Sequence, residues 1–205
     1  MPDQSRPRGS DDVLVRGSGR RAFLAGLGAV FASVTLGSQQ SEAGIFGSSR
    51  RTDIPQSWVR RFGKDVLKYG AYIDRMDLRY ISTTQVIAPH LKQKGRVYNS
   101  LPPKSYWKNM KRTLKAVDRV CAQLGQGPRE IISAYRSPRY NRACRGAKRN
   151  SMHLKNNALD LRFGVSPWRV TSAARALRDR GLFKGGVGRY RGFTHIDTRG
   201  YNADW

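Results

Sequence analysis

Trp107, Met110, Leu114, Val117, Cys121 and Leu124 recur at three- and four-residue spacing, with lysine and arginine on the opposite side. That period predicts an amphipathic helix over residues 104–124 whose apolar stripe is core, with Gly125 and Gly127 as its stop. Trp58, Phe62, Val66, Tyr69 and Ile73 share one face of a second helix, from 56 to about 74. Ser166-Pro167 opens a third, which runs to Arg180 before Gly181. Over residues 158–163 the period changes to two: Ala158, Asp160 and Arg162 alternate with Leu159, Leu161 and Phe163. This is the pattern of a half-buried strand with Asp160 on its polar face. Strands are also expected over 130–134, 186–190 and 193–197. Residues 81–86 read as extended, and a basic helical segment is expected near 140–147.

The first 43 residues do not share these patterns. Arg20 and Arg21 precede an uncharged apolar stretch over residues 23–36, followed by the small-residue site Ser41-Glu42-Ala43. This is the order of a bacterial export signal, and the paired arginines point to the twin-arginine route. The apolar run, about 14 residues, is shorter than the roughly 20 needed to cross a bilayer. No later segment is long or apolar enough to span a membrane, so the mature chain, beginning near Gly44, is expected to have no span.

Charge narrows the partners. The formal net charge is +25, and residues 1–43 hold only five basic and four acidic side chains, so the excess lies in the mature chain and its partner is expected to be anionic. In a cytoplasmic protein this would indicate nucleic acid. After export, the available polyanions are carboxylate-rich wall peptides and other anionic cell-envelope polymers, and specific nucleic-acid binding is not expected. Cys121 and Cys144 are the only cysteines. In an oxidising compartment the pair is compatible with one disulfide, the alternative being two buried thiols.

Two of the three histidines belong to one pattern. His153 and Asp160 lie seven positions apart, and His195 follows in Phe193-Thr194-His195-Ile196-Asp197. Together these would supply three ligands to a first-row metal and leave a fourth position open for water, the ligand count of a catalytic zinc site. His90, beside Pro89 in a loop, is expected to be a surface or packing residue outside that site. On a strand Asp197 projects to the same side as His195. It could orient a ring N–H as a hydrogen-bond acceptor or serve as general base toward a metal-bound water. After Arg136 the only carboxylates are Asp160, Asp179, Asp197 and Asp204. With Asp160 used as a ligand, Asp197 is the leading base candidate.

Ser133-Ala134-Tyr135-Arg136-Ser137-Pro138, Asn141, Ser151-Met152-His153, Ala158-Leu159-Asp160, Gly185-Gly186-Val187-Gly188 and Phe193-Thr194-His195-Ile196-Asp197-Thr198 occur here in order. They resemble the zinc peptidases of the D-Ala-D-Ala carboxypeptidase type, and within these the twin-arginine-exported murein endopeptidase K group. The resemblance covers roughly residues 130–205. It implies an α+β fold of the Hedgehog/D-Ala-D-Ala peptidase kind, a small, mainly antiparallel sheet carrying the zinc site and flanked by helices. One Zn2+ per chain would be bound by His153, Asp160 and His195. Arg136 would hold a substrate carboxylate or the developing oxyanion, with Ser151 beside it as a substrate-binding residue.

The chain departs from the family pattern at two places. Asn156-Asn157 stand where the family usually has glycine, although asparagine tolerates positive φ. Gly192 and Phe193 stand where a His or Glu usually precedes the third ligand. This moves the base to Asp197, or makes Asp197 the ligand and His195 the base; imidazole is the better zinc ligand, which favours the first. The Gly185–Gly188 segment leads into a strand, so close backbone packing is a better use for it than a phosphate cradle.

The expected organisation is an export signal over 1–43, a helical extension over 44–103 and a zinc peptidase core over 104–205. The expected activity is hydrolysis of a peptide bond in peptidoglycan stem peptides or cross-links, in the periplasm or cell envelope. Two alternatives belong to other classes: a zinc-containing wall-binding protein without catalysis, and a basic nucleic-acid binder. The second would need a surface stripe of aromatic and basic residues, whereas most aromatics here fall on core faces.

Overall fold

The computed structural model describes residues 52–205; the expected export signal and nearly all of the short leader after it lie outside these residues. The first helical stretch is two helices, α1 (Gln56–Phe62) and α2 (Lys64–Asp74). Helical spacing continues across the junction, but Gly63 has φ +63° and ψ −152°, a conformation glycine adopts at little cost, and it breaks the helix there. Val66, Tyr69 and Ile73 are buried, while Trp58 and Phe62 are partly covered.

Residues 81–86, expected to be extended, instead lead into α3 (Thr83–Ile87). Ser82 Oγ accepts from Gln85 N at 3.2 Å and Gln85 Oε1 accepts from Ser82 N at 3.0 Å. This reciprocal cap satisfies two free amides at the helix start and outweighs the local β-branched composition. A 3-10 turn, Ala88–Leu91, carries His90 into the small hairpin of β1 (Gln93–Lys94) and β2 (Val97–Tyr98). After a second 3-10 turn, α4 (Trp107–Leu124) runs as expected and ends at Gly125, φ +70°. Its Met110, Leu114, Val117 and Cys121 are fully buried, each apolar side chain of this size contributing about 1.5–3 kcal/mol by leaving water.

The rest of the chain builds the sheet, through β3 (Glu130–Ser133), α5 (Pro138–Ala143), β4 (Ala158–Arg162), α6 (Pro167–Asp179), β5 (Gly186–Arg189), β6 (Thr194–Asp197) and β7 (Ala203–Asp204). Strand order is β3-β4-β6-β5-β7, antiparallel except for the parallel β5–β7 pair, so the fold class is α+β. α4 and α6 pack on each other and against the sheet. Residues 158–161 of β4 are all buried, not alternately exposed. Leu159 and Leu161 join the hydrophobic core, while Asp160 on the other face is enclosed by charged and imidazole side chains.

Cys121 and Cys144 are both free thiols. Cys121 lies on the core-facing stripe of α4, where burial pushes its thiol up to about 12, and Cys144 sits at the end of α5, so the pair belongs to separate elements. Among the described residues no helix is long and apolar enough to cross a membrane.

His90 is completely buried, edge-on to the Tyr69 ring with centroids 5.9 Å apart, and its Nδ1 meets the Ile87 carbonyl at 2.9 Å. Burial, the largest influence, pushes its pKa down to about 4, against about 6.5 in the unfolded chain. As pH falls the unfolded chain therefore takes the proton first. This group destabilises the fold progressively from about pH 6.5 to about pH 4, by up to roughly 3 kcal/mol, and adds nothing further below that. His90→Asn keeps a side-chain N–H for the Ile87 carbonyl but cannot titrate. Its Tm, followed by circular dichroism, is expected to fall less than that of the wild type between pH 6.5 and 4; an equal fall would assign the acid sensitivity to other groups.

Candidate metal centre

β4 and β6 pair so that Asp160 lies opposite His195 and Ala158 opposite Asp197. Directly paired residues project to the same face, so this register puts both carboxylates and the imidazole on one side of the sheet. His153 comes from the 3-10 turn Met152–Lys155, started by Ser151, whose Oγ accepts from His153 N at 3.3 Å. The turn ends at Asn156 with φ +54° and ψ +40°, the left-handed conformation that asparagine tolerates. Asn157 then ties the turn to the end of β6: its carbonyl accepts from Thr198 N at 3.1 Å and its Oδ1 from Thr198 Oγ1 at 2.6 Å.

The two histidines and Asp160 each offer a ligand atom, and the three atoms lie within 4.8 Å of one another. Asp160 Oδ1 is 3.2 Å from His153 Nε2 and 2.8 Å from His195 Nδ1. The outer nitrogen of each ring is engaged elsewhere. His153 Nδ1 is 2.6 Å from the Ala134 carbonyl; a carbonyl can only accept, so Nδ1 carries the proton and Nε2 presents its lone pair inward. His195 Nε2 is 3.0 Å from Asp197 Oδ2. An ionised carboxylate is likewise acceptor-only, but Asp160 Oδ1 faces Nδ1 of the same ring at 2.8 Å, so without a metal both His195 nitrogens act as donors. A metal bound through Nδ1 would displace that proton while Asp197 keeps the one on Nε2; the chain thus fixes the His153 tautomer outright and the outer N–H of His195.

Burial holds the His153 pKa down despite the attraction of Asp160, keeping the ring neutral, the form that binds a metal. For His195 burial acts the same way, but hydrogen bonds from its ring to Asp160 and Asp197 outweigh it and raise its pKa. Burial would raise the pKa of Asp160, yet His153 and His195 hold it well below the usual carboxylate range. Asp197 is also held low: burial opposes ionisation, but His195, Arg199 and the Gly186 amide prevail.

Arg136 and Ser151, the other residues singled out from sequence, both border this cluster. Arg136 donates from Nη2 to Asp160 Oδ2 at 2.6 Å and from Nε to Ser133 Oγ at 2.7 Å, which leaves Asp160 Oδ1 to the histidines. Ser151 caps the His153 turn. His90 and both cysteines lie outside the cluster. Arg199 was not singled out, although it closes the arrangement: its Nε lies 2.8 Å from Asp197 Oδ1 and its Nη2 2.5 Å from Oδ2. The Gly186 and Arg199 amides also donate to Oδ1, at 3.0 and 3.1 Å. The available signal was its position two residues after a carboxylate on a strand end.

The family model described as Peptidase M15 matches residues 86–197, a segment that holds all three candidate ligands. The chain belongs to the peptidase M15 family. Over 76 residues, 34% of this chain, it is 42% identical to the probable peptidoglycan L,D-endopeptidase MepK of Haemophilus influenzae, and the match spans 38% of that relative's length. No solved structure matches the chain. The M15 match ends at Asp197, so Arg199 lies beyond it.

In this M15 site the carboxylate of Asp197 is completely buried and both its oxygens are occupied. Asp197→Asn distinguishes its two candidate roles. If Asp197 orients His195, the variant is expected to bind metal about 10- to 100-fold more weakly, as read by titration against a chelating indicator, and to recover activity at raised metal concentration. Unchanged metal affinity with turnover reduced by roughly 100-fold or more would instead identify it as the general base.

Proposed function

We propose that this chain is a zinc-dependent murein peptidase that hydrolyses a peptide bond in stem peptides or cross-links. The observation that carries this reading is the convergence of His153 Nε2, Asp160 Oδ1 and His195 Nδ1, with the outer nitrogen of each histidine held by an acceptor. Two imidazoles and one carboxylate match the borderline preference of zinc and the three-ligand pattern of its hydrolytic sites. Zinc bound there would lower the pKa of a coordinated water and polarise the carbonyl to be attacked.

The protein's own side chains set up that chemistry. His153 is held in the required tautomer, Asp197 holds the outer nitrogen of His195, and Asp160 is shared between the two rings while Arg136 holds its second oxygen. Arg136 uses Nε and Nη2 for these bonds, leaving Nη1 for a substrate carboxylate or the oxyanion. Asp197 is assigned to positioning His195, because neither oxygen is free to accept a proton from water in the site. Ser151 borders the substrate side through the turn it caps.

The murein substrate is supported by the activity named for the endopeptidase relative and by the net charge of +25, which suits carboxylate-bearing wall peptides. We place the protein in the periplasm or envelope, reached by the twin-arginine route that Arg20 and Arg21 suggest. Its core has the Hedgehog/D-Ala-D-Ala peptidase arrangement in this reading. Purified sacculi incubated with the metal-loaded protein are expected to release peptide fragments whose new ends mass spectrometry can assign. Release is expected to stop with a chelator and to return on adding zinc. Tight binding to sacculi without any release would indicate a wall-binding protein instead.

A further inference from the structure

The sheet register sets Ser133, Asp160, His195 and Gly188 in one row across β3, β4, β6 and β5. Neighbouring strands are about 4.8 Å apart, so the row runs roughly 14 Å. Arg136, bonded to Ser133 and Asp160, stands at one end. At the other, position 188 has no side chain, and the space above it is filled from the adjacent strand. β7 runs parallel to β5, and Trp205, directly after it, lays its indole over the glycines of β5. A Cβ at Gly188 would stand 2.3 Å from Trp205 Nε1, and one at Gly186 2.9 Å from its Cη2. The first separation is impossible for real atoms and the second is barely less so.

Several contacts hold the ring. Trp205 Nε1 donates to Tyr190 Oη at 2.8 Å, the Arg199 guanidinium lies 5.0 Å from the ring centroid, and the His195 ring lies 5.3 Å away. Despite these contacts Trp205 is 43% exposed. Its ring is anchored at its polar atom and seated on two glycines beside the buried His195, the arrangement by which an indole presents a rigid face to a ligand.

We propose that Trp205 is a substrate-contacting wall that takes the aliphatic part of a residue on one side of the scissile peptide bond. Arg136, at the opposite end of the row, takes a carboxylate on the other side. This rests on the murein-peptidase reading and narrows it: the preferred substrate is an extended stem peptide, anionic at one end and methyl- or methylene-bearing at the other, lying across the strands.

The test is steady-state kinetics of the full chain on purified soluble muropeptides, with metal content measured for every variant. Trp205→Ala is expected to keep the wild-type metal content and to raise KM about tenfold with kcat changed by less than about threefold, whereas Trp205→Phe, which keeps an aromatic face, stays within about threefold of wild-type KM. If Trp205→Ala does not accumulate as folded protein, Gly188→Ala carries the same test, because its methyl group displaces the ring without removing it. A wild-type KM in the variant overturns the inference. So does a fall in kcat accompanied by loss of metal, which would make Trp205 a support for His195. A wild-type chain that cleaves no muropeptide overturns the murein reading and this inference with it. Cleavage by the wild type matched by Trp205→Ala overturns this inference alone.

Discussion

Asp160 on β4 lies opposite His195 on β6, and the site depends on that register. A slip of one residue would turn Asp160 into the core occupied by Leu159 and Leu161 and bring an apolar side chain to the face beside His153. The alternation on β4 and β6 guards against such a slip. Leu159 and Ile196 are a directly opposed pair, both completely buried, and moving them into a cluster of ionised groups would cost several kcal/mol in lost burial and unpaired charge. The hydrophobic face of the sheet thus determines the geometry of its polar face.

That polar face holds several charges in a small volume. Asp160 and Asp197 are buried, and each is paired with a largely covered arginine, Arg136 and Arg199. Removing two charges from water is expensive and their attraction only partly offsets it, so such pairs add little to stability. What they provide is orientation. Arg136 restricts Asp160 to offering one oxygen to the histidines, and Arg199 fixes the carboxylate that fixes the His195 ring. α4 and α6, packed against the other side of the sheet, supply the apolar burial that supports this polar arrangement.

Much of this was legible in the sequence because it follows from short periods. The alternation around Asp160 and His195, together with the His153–Asp160 spacing, indicated three side chains that the fold brings together, and the stripe of α4 was clear from its three- and four-residue spacing. Features that depend on a single backbone angle or on tertiary contact were less visible. The period of α1 and α2 continues through Gly63, so only its positive φ reveals the break. At Ser82 a local cap overrode a β-branched run. Arg199 offered only its place two residues after Asp197, and Trp205 could not be assigned from spacing, since its partners lie on strands whose pairing the sequence does not state. The glycines of β5 showed that something packs closely there without showing that it is Trp205.

In the proposed site His153 Nε2, Asp160 Oδ1 and His195 Nδ1 face one metal while Asp197 stays outside the coordination sphere. A crystal structure of the zinc-loaded protein, with data collected on both sides of the zinc absorption edge, tests it directly. A single anomalous peak bonded to those three atoms, with Asp197 still on His195 Nε2, is the predicted result. Zinc bound through His195 Nε2 or by Asp197 itself, or no peak between the two histidines, would contradict it.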